Sequence, residues 1–161
     1  MNKKIKTQGS SLVEALVAVS IFLVVVVSVT SVSSFLIKNS VETLAKVQAA
    51  YLAEEGLEVM RLFRDASWSN NITSLASEDP FSLMFDGEGW DIVSVSAPVD
   101  GTFSRTLMLE DVYRDGSGNV VASGGTLDPN TKKITSTISW NSRGGLNTRS
   151  LSTYLTNIFN N

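Results

Sequence analysis

The sequence predicts an α+β fold, with a long N-terminal α-helix, transmembrane in its first half, packed against a C-terminal antiparallel β-sheet. Three observations carry this. An apolar run of 23 residues without a charge, Ala15 to Ile37, stands near the start of the chain. Helical spacing continues beyond it, with no proline before Pro80 and Gly56 as the only glycine between Gly9 and Gly87. After Trp90 the apolar period changes to two, the period of a strand with one buried face.

The composition narrows the chemistry available. At 161 residues the chain has room for an anchor and one domain. It has no cysteine, so a disulfide or a thiolate metal site is out of reach. It has no histidine, which removes the commonest general base and a favoured metal ligand. Catalysis would have to rest on carboxylates or lysine, and no paired acids stand at a spacing that suggests a cleft. We therefore expect no enzyme activity, no cofactor and no metal.

The first segment is basic, with Lys3, Lys4 and Lys6 ahead of Gly9. In the run that follows, 17 of the 23 residues are apolar and the other six are Ser or Thr. As a helix it rises roughly 34 Å, enough to cross a bilayer core. The lysines on its N-terminal side place that end in the cytoplasm by the positive-inside rule, and everything after Lys38 outside. An ordinary secretory signal is the plain alternative, cut among the small residues from Val29 to Ser34; the run is longer than an h-region of about 7–15 residues and opens beside an acid. An uncleaved signal anchor is another.

Glu14 stands at the mouth of the apolar run, where an unpaired carboxylate costs about 2.5–3.5 kcal/mol on insertion scales. It calls for a partner, or else for a hydrated place at the membrane interface.

Basic leader, Gly9-Ser10-Ser11-Leu12-Val13-Glu14, then a membrane-length helix: this order resembles the type IV prepilins, with their class III signal. The segment Tyr51-Leu-Ala-Glu-Glu-Gly-Leu-Glu58, running on to Arg61, Arg64, Asp65 and Trp68, resembles minor pilins of the PilV type. The ending from Ile138-Ser-Trp-Asn-Ser-Arg-Gly-Gly through Thr153-Tyr-Leu-Thr-Asn-Ile-Phe159 looks like their last hairpin.

The resemblance implies the pilin fold and a structural subunit of a type IV pilus or a type II secretion pseudopilus. It implies a leader peptide over residues 1–9, cut by prepilin peptidase between Gly9 and Ser10. The freed Ser10 amine would be the site of N-methylation, although serine departs from the commoner aromatic first residue. In the family, the glutamate at the position of Glu14 pairs with the N-terminal amine of a neighbouring subunit. Cleavage would thus make the cation that Glu14 neutralises. The implied partners are prepilin peptidase, other pilin or pseudopilin subunits, an inner-membrane assembly platform with its ATPase, and membrane lipid. The precursor would sit in the inner membrane before entering the filament. Without residues 1–9, ten basic residues face sixteen acidic ones, about −6, which argues against DNA as a partner.

On this reading residues 10–37 form the transmembrane and assembly half of the helix, 38–68 its amphipathic half, and 69–161 a β-rich head. The helix is expected over Leu12 to Asp65. Val41, Leu44, Ala45, Leu52, Val59 and Phe63 form its apolar stripe, with Tyr51 and Leu62 on the margin. Glu54, Glu55 and Glu58 read as a solvated face rather than metal ligands.

In the head, Phe81 to Phe85 suggests one short helix. Strands are expected over Trp90 to Ala97, Phe103 to Tyr113, Val120 to Ser123, Lys133 to Trp140 and Arg149 to Phe159. In the fourth, Ile134, Ile138 and Trp140 share one face; in the fifth, Leu151, Leu155 and Phe159 do. Asn141 to Asn147, with Gly144-Gly145, should join these two as a hairpin. Asp115-Gly-Ser-Gly-Asn119 lacks the ligand series of a calcium loop and reads as a hairpin turn. Asn71-Ile-Thr73 fits a glycosylation acceptor. Arg105, Arg114, Lys132, Lys133, Arg143 and Arg149 lie on separate strands among acids, which reads as a mixed surface rather than a DNA-binding patch. A single-pass membrane-anchored binding module of the cell envelope is the competing function; an anchored hydrolase using a carboxylate pair is a poorer one.

Overall fold

The structure is a computed structural model that describes residues 8–94 and 98–161. The expected leader therefore lies outside the described residues up to Thr7. The fold is α+β: one long N-terminal helix followed by an antiparallel sheet against which its C-terminal part packs. Helix α1 covers Gln8–Ala66, somewhat longer than the expected Leu12 to Asp65. The chain divides into two compact units, Met1–Leu44 and Ala45–Asn161, and α1 contributes to both.

In the first unit every residue from Leu12 to Leu44 is exposed. Valine dominates it, and β-branched residues are only modest helix formers. A continuous helix satisfies every backbone polar group within the segment, and most of its hydroxyls are satisfied there too. The hydroxyls of Ser20, Ser28, Ser31 and Ser33 donate to the carbonyls of Leu16, Val24, Val27 and Val29 at 2.7–2.9 Å, and Thr30 donates to Val26 and Val27 at 3.0 Å. Such back-bonding hides a hydroxyl from an apolar surround. Among the described residues this is the one helix long and apolar enough to cross a membrane, its most apolar 18 residues having a mean hydropathy of 2.8.

In the second unit, helix α2 (Trp68–Asn71) follows α1, capped by Ser67, whose hydroxyl accepts from the Asn70 amide. Strands β1 (Ser82–Phe85) and β2 (Trp90–Val93) form a separate antiparallel hairpin. The short helix expected over Phe81 to Phe85 is thus replaced by a strand. A five-residue apolar window cannot distinguish the two periods, and the turn decides. The Asp86 carboxylate accepts from the Glu88 and Gly89 amides, which folds Trp90 back beside Phe85.

The main sheet has five strands in the order β3-β4-β6-β7, with β5 also paired to β4: β3 (Pro98–Val99), β4 (Phe103–Arg114), β5 (Val120–Val121), β6 (Thr126–Ser142) and β7 (Gly145–Thr156). All pairings are antiparallel. The strand expected from Trp90 ends at Val93, and Val95 to Ala97 lie outside the described residues. β3 was not anticipated, because Pro98 argues against a strand except at an edge, where it sits. β6 begins seven residues before Lys133, its early part pairing Arg114 and Tyr113 across a register shift. The last hairpin exists but is tighter than the expected Asn141 to Asn147. Ser142 pairs Gly145, so Arg143 and Gly144 alone make the turn, and Gly145 takes a φ of 111°.

Two apolar clusters hold α1 to the sheet. Leu57, Met60, Trp68 and Ile72 pack with Leu107, Leu109, Ile134 and Leu155. Ala49, Leu52 and Ala53 pack with Phe103, Ile138 and Trp140. The buried stripe is therefore 49, 52, 53, 56, 57, 59 and 60, centred differently from the expected one; Val41 and Leu44 are exposed, as are Tyr51 and Leu62. Ile134, Ile138 and Trp140 are buried as expected, with Ser136 between them. Of the β7 set only Leu155 is buried. Leu151 is exposed, and Phe159 lies beyond the strand.

Candidate functional site

The residues singled out from the sequence for cleavage and assembly sit at the start of α1. Gly9 and Ser10 fall within its first turn. Glu14 is exposed and has no ion-pair or hydrogen-bond partner among the described residues. It stands among exposed apolar side chains, Leu12, Val13, Leu16 and Val17. Continuous helix presents its carboxylate on a surface that otherwise carries only hydrocarbon and serine and threonine hydroxyls until Lys38, most of these hydroxyls bonded within the helix. A negative charge in that setting is stabilised by a cation from another molecule or by water at an interface.

In the second unit the polar centre is Arg105, which composition places with the surface bases and the fold buries to 1 % exposure. Its guanidinium donates to Glu55 Oε1 at 2.8 Å and to the Leu52 carbonyl at 3.3 Å, and lies 5.2 Å from the centre of the Trp90 ring. Glu55 reaches in from α1 with its outer side still half in solvent. This is a clamp between helix, sheet and the β1–β2 hairpin. Glu58 pairs with Arg61, so the acidic face of α1 is partly neutralised within the chain.

The other bases are mostly matched as well. Arg114 pairs with Asp128 at 2.7 Å, Lys132 with Asp111, and Lys133 with Glu110 at 2.8 Å. The hydrogen bond from Lys132 and a second from Ser77 hold the Asp111 carboxyl below the usual carboxylate range. Arg114 does the same for Asp128, and Glu110 raises Lys133. Arg143 and Arg149 are exposed without an ion pair among the described residues. The six bases do not converge into one patch.

Beside these pairs lies an open cleft of about 530 Å³ lined by Glu78, Glu110, Asp111, Tyr113, Lys133 and Tyr154, among others. Its charged groups are largely spent on one another. Among the described residues no three His, Cys, Asp or Glu side chains are grouped to hold a metal. Asp115 organises a turn, as expected: its Oδ1 accepts from the Ser117 and Asn119 amides at 2.9 Å. The Asn119 side chain, and then its amide, keep that carboxyl low. At the expected glycosylation acceptor, the Asn71 side-chain nitrogen donates to the Phe63 carbonyl at 2.9 Å and is half-buried.

No family model, curated protein or solved structure matches the chain.

Proposed function

We propose that this chain is a minor pilin or pseudopilin, a structural subunit that is trimmed between Gly9 and Ser10 and enters a type IV pilus or a type II secretion pseudopilus. One observation carries the reading: Glu14 lies unpaired on an uncharged helix of membrane length, four residues past a Gly-Ser junction preceded by lysines. A free amine on Ser10 of a neighbouring copy is a cation able to meet that carboxylate. The α+β arrangement, with the back of the helix buried in a β-rich unit and its front left bare, supports the same reading. On this view the precursor waits in the inner membrane with its leader in the cytoplasm, and an assembly platform lifts the trimmed subunit into a bundle of helices.

The test is the N-terminus of the protein from native membranes, read by mass spectrometry. A chain starting at Ser10, with or without a methyl group, supports the prepilin pathway. An intact Met1, or a start near Val32, overturns it in favour of a membrane-anchored binding module or a secreted domain. The open cleft beside Tyr113 and Tyr154 is the feature that favours the binding-module reading.

A further inference from the structure

Charge is segregated along the chain. Residues 65–104 hold seven acidic residues and no basic one; residues 129–161 hold four basic residues and no acidic one. The fold carries part of each block to opposite edges of the five-stranded sheet. The acidic β1–β2 hairpin joins at the outer side of β4 through a bridge between Phe81 and Leu107. The basic block forms β6 and β7, and β7 pairs only with β6, so it is the free edge on the other side.

Pairing within the chain does not cancel the difference. Lys132 and Lys133 are matched by Asp111 and Glu110 on β4, which leaves Arg143 in the last turn and Arg149 on β7. At the opposite edge Asp86, Glu88 and Asp91 are exposed, with no ion pair among the described residues. Both edges also expose apolar side chains, Met84 and Phe85 on the hairpin, Leu146 and Tyr154 on β7. A 12-residue edge strand with one charge and no proline is unguarded against pairing with another chain.

We propose that this unit docks edge to edge on a second copy of the chain, the acidic β1–β2 hairpin of one copy against the Arg143–Arg149 segment of the next. Complementary charge selects this pairing, and like charges at each edge disfavour hairpin on hairpin or β7 on β7. The contact is head-to-tail, so it leaves both outer edges unsatisfied and repeats instead of closing. It rests on the filament reading for its role and supplies that reading with a register between neighbouring heads.

The absence of cysteine makes a clean test possible. Two differently tagged full-length copies, one Glu88→Cys and one Arg149→Cys, are co-expressed and oxidised in native membranes. The expected result is a mixed disulfide about tenfold above either matched pair, lost when Arg143→Glu is added to the second copy and regained when Asp91→Lys is added to the first. All four positions are exposed, and an unchanged thermal transition verifies folding. No mixed disulfide, matched pairs of equal yield, or indifference to charge reversal overturns the contact. The N-terminus is read on the same sample. A start at Ser10 without the mixed disulfide removes the contact and leaves the filament reading; the mixed disulfide on a chain starting at Met1 does the reverse.

Discussion

Gly56 and Arg105 lie in direct apposition: a β-carbon at Gly56 would stand 3.1 Å from Arg105 Cδ and 2.9 Å from Ser136 Oγ. Gly56, the one glycine of α1 after Gly9, is thus the place where a buried arginine passes beneath the helix. Alanine there gains about 0.8–1.0 kcal/mol of helix propensity and loses about 1–3 kcal/mol to overpacking. Gly56→Ala is therefore expected to lower the thermal midpoint of the full chain in detergent. In a Ser136→Ala background, where the nearest atom is gone and only Arg105 Cδ at 3.1 Å remains, the same change should lower it less. A rise in both backgrounds would show that the apposition exerts no constraint.

Arg105 and Glu55 should respond unequally to substitution. Removing Glu55 leaves a cation fully buried, with only the Leu52 carbonyl and the Trp90 face. Replacing Arg105 with methionine removes the charge and keeps the volume, a change often neutral or stabilising at buried ion pairs. Glu55→Ala is expected to cost about 1–3 kcal/mol, less than a wholly buried pair because Glu55 is half exposed. Arg105→Met is expected to cost less than that, and it also relieves the unpartnered Nε. Denaturant unfolding of both variants checks the order.

The acid and alkaline limbs of stability have named sources. Asp111 and Asp128 have carboxyls held below the ordinary 3.8. Their contribution is fully present above that unfolded-state value and is lost as pH falls through the lower folded values. Lys133, raised above 10.5, contributes fully below that value and loses its contribution as pH rises through the higher folded one. With no histidine to titrate between, the thermal midpoint should be level from about pH 5 to 9 and fall below about pH 4 and above about pH 10. Asp111→Asn should make the acid limb shallower. An unchanged limb in that variant would assign the acid loss elsewhere.

The parts of the fold legible in the sequence are those where one period persists. The helix shows in the unbroken run to Asp65, apolar all round as far as Ile37 and apolar along one stripe beyond it, and the centre of β6 shows in the alternation of Ile134, Ile138 and Trp140, because one face of that stretch is buried throughout. The same rule misleads at β7. An edge strand is only partly covered by α1, so Leu151 stays in solvent although it shares a face with the buried Leu155. Arg105 was out of reach because an arginine's burial depends on Glu55 and Trp90, 50 residues before it and 15; Gly56 was its one local sign. The alternation of charge blocks was present in the sequence, but only the sheet order turns it into two edges. Gly9, Ser10 and Glu14 are legible as a pattern, since the group that would complete them belongs to another molecule.

Glu14 offers the sharpest separation of membrane insertion from assembly. Glu14→Ala removes a carboxylate that costs about 2.5–3.5 kcal/mol within the hydrocarbon, so insertion should be unimpaired. On the proposed filament reading, incorporation should be blocked, because nothing would then neutralise the N-terminal amine freed on the adjoining subunit. Glu14→Gln keeps the shape and a hydrogen-bonding oxygen without the charge, and should incorporate as poorly as alanine if charge is what matters. The measurement is the ratio of each variant in sheared filaments to that in the membrane fraction. Normal incorporation of Glu14→Ala would sink the pairing and leave Glu14 as a hydrated residue at the interface. A subunit at the filament tip has no neighbour above it and little need of this carboxylate. Loss of incorporation would therefore also place the chain below another subunit.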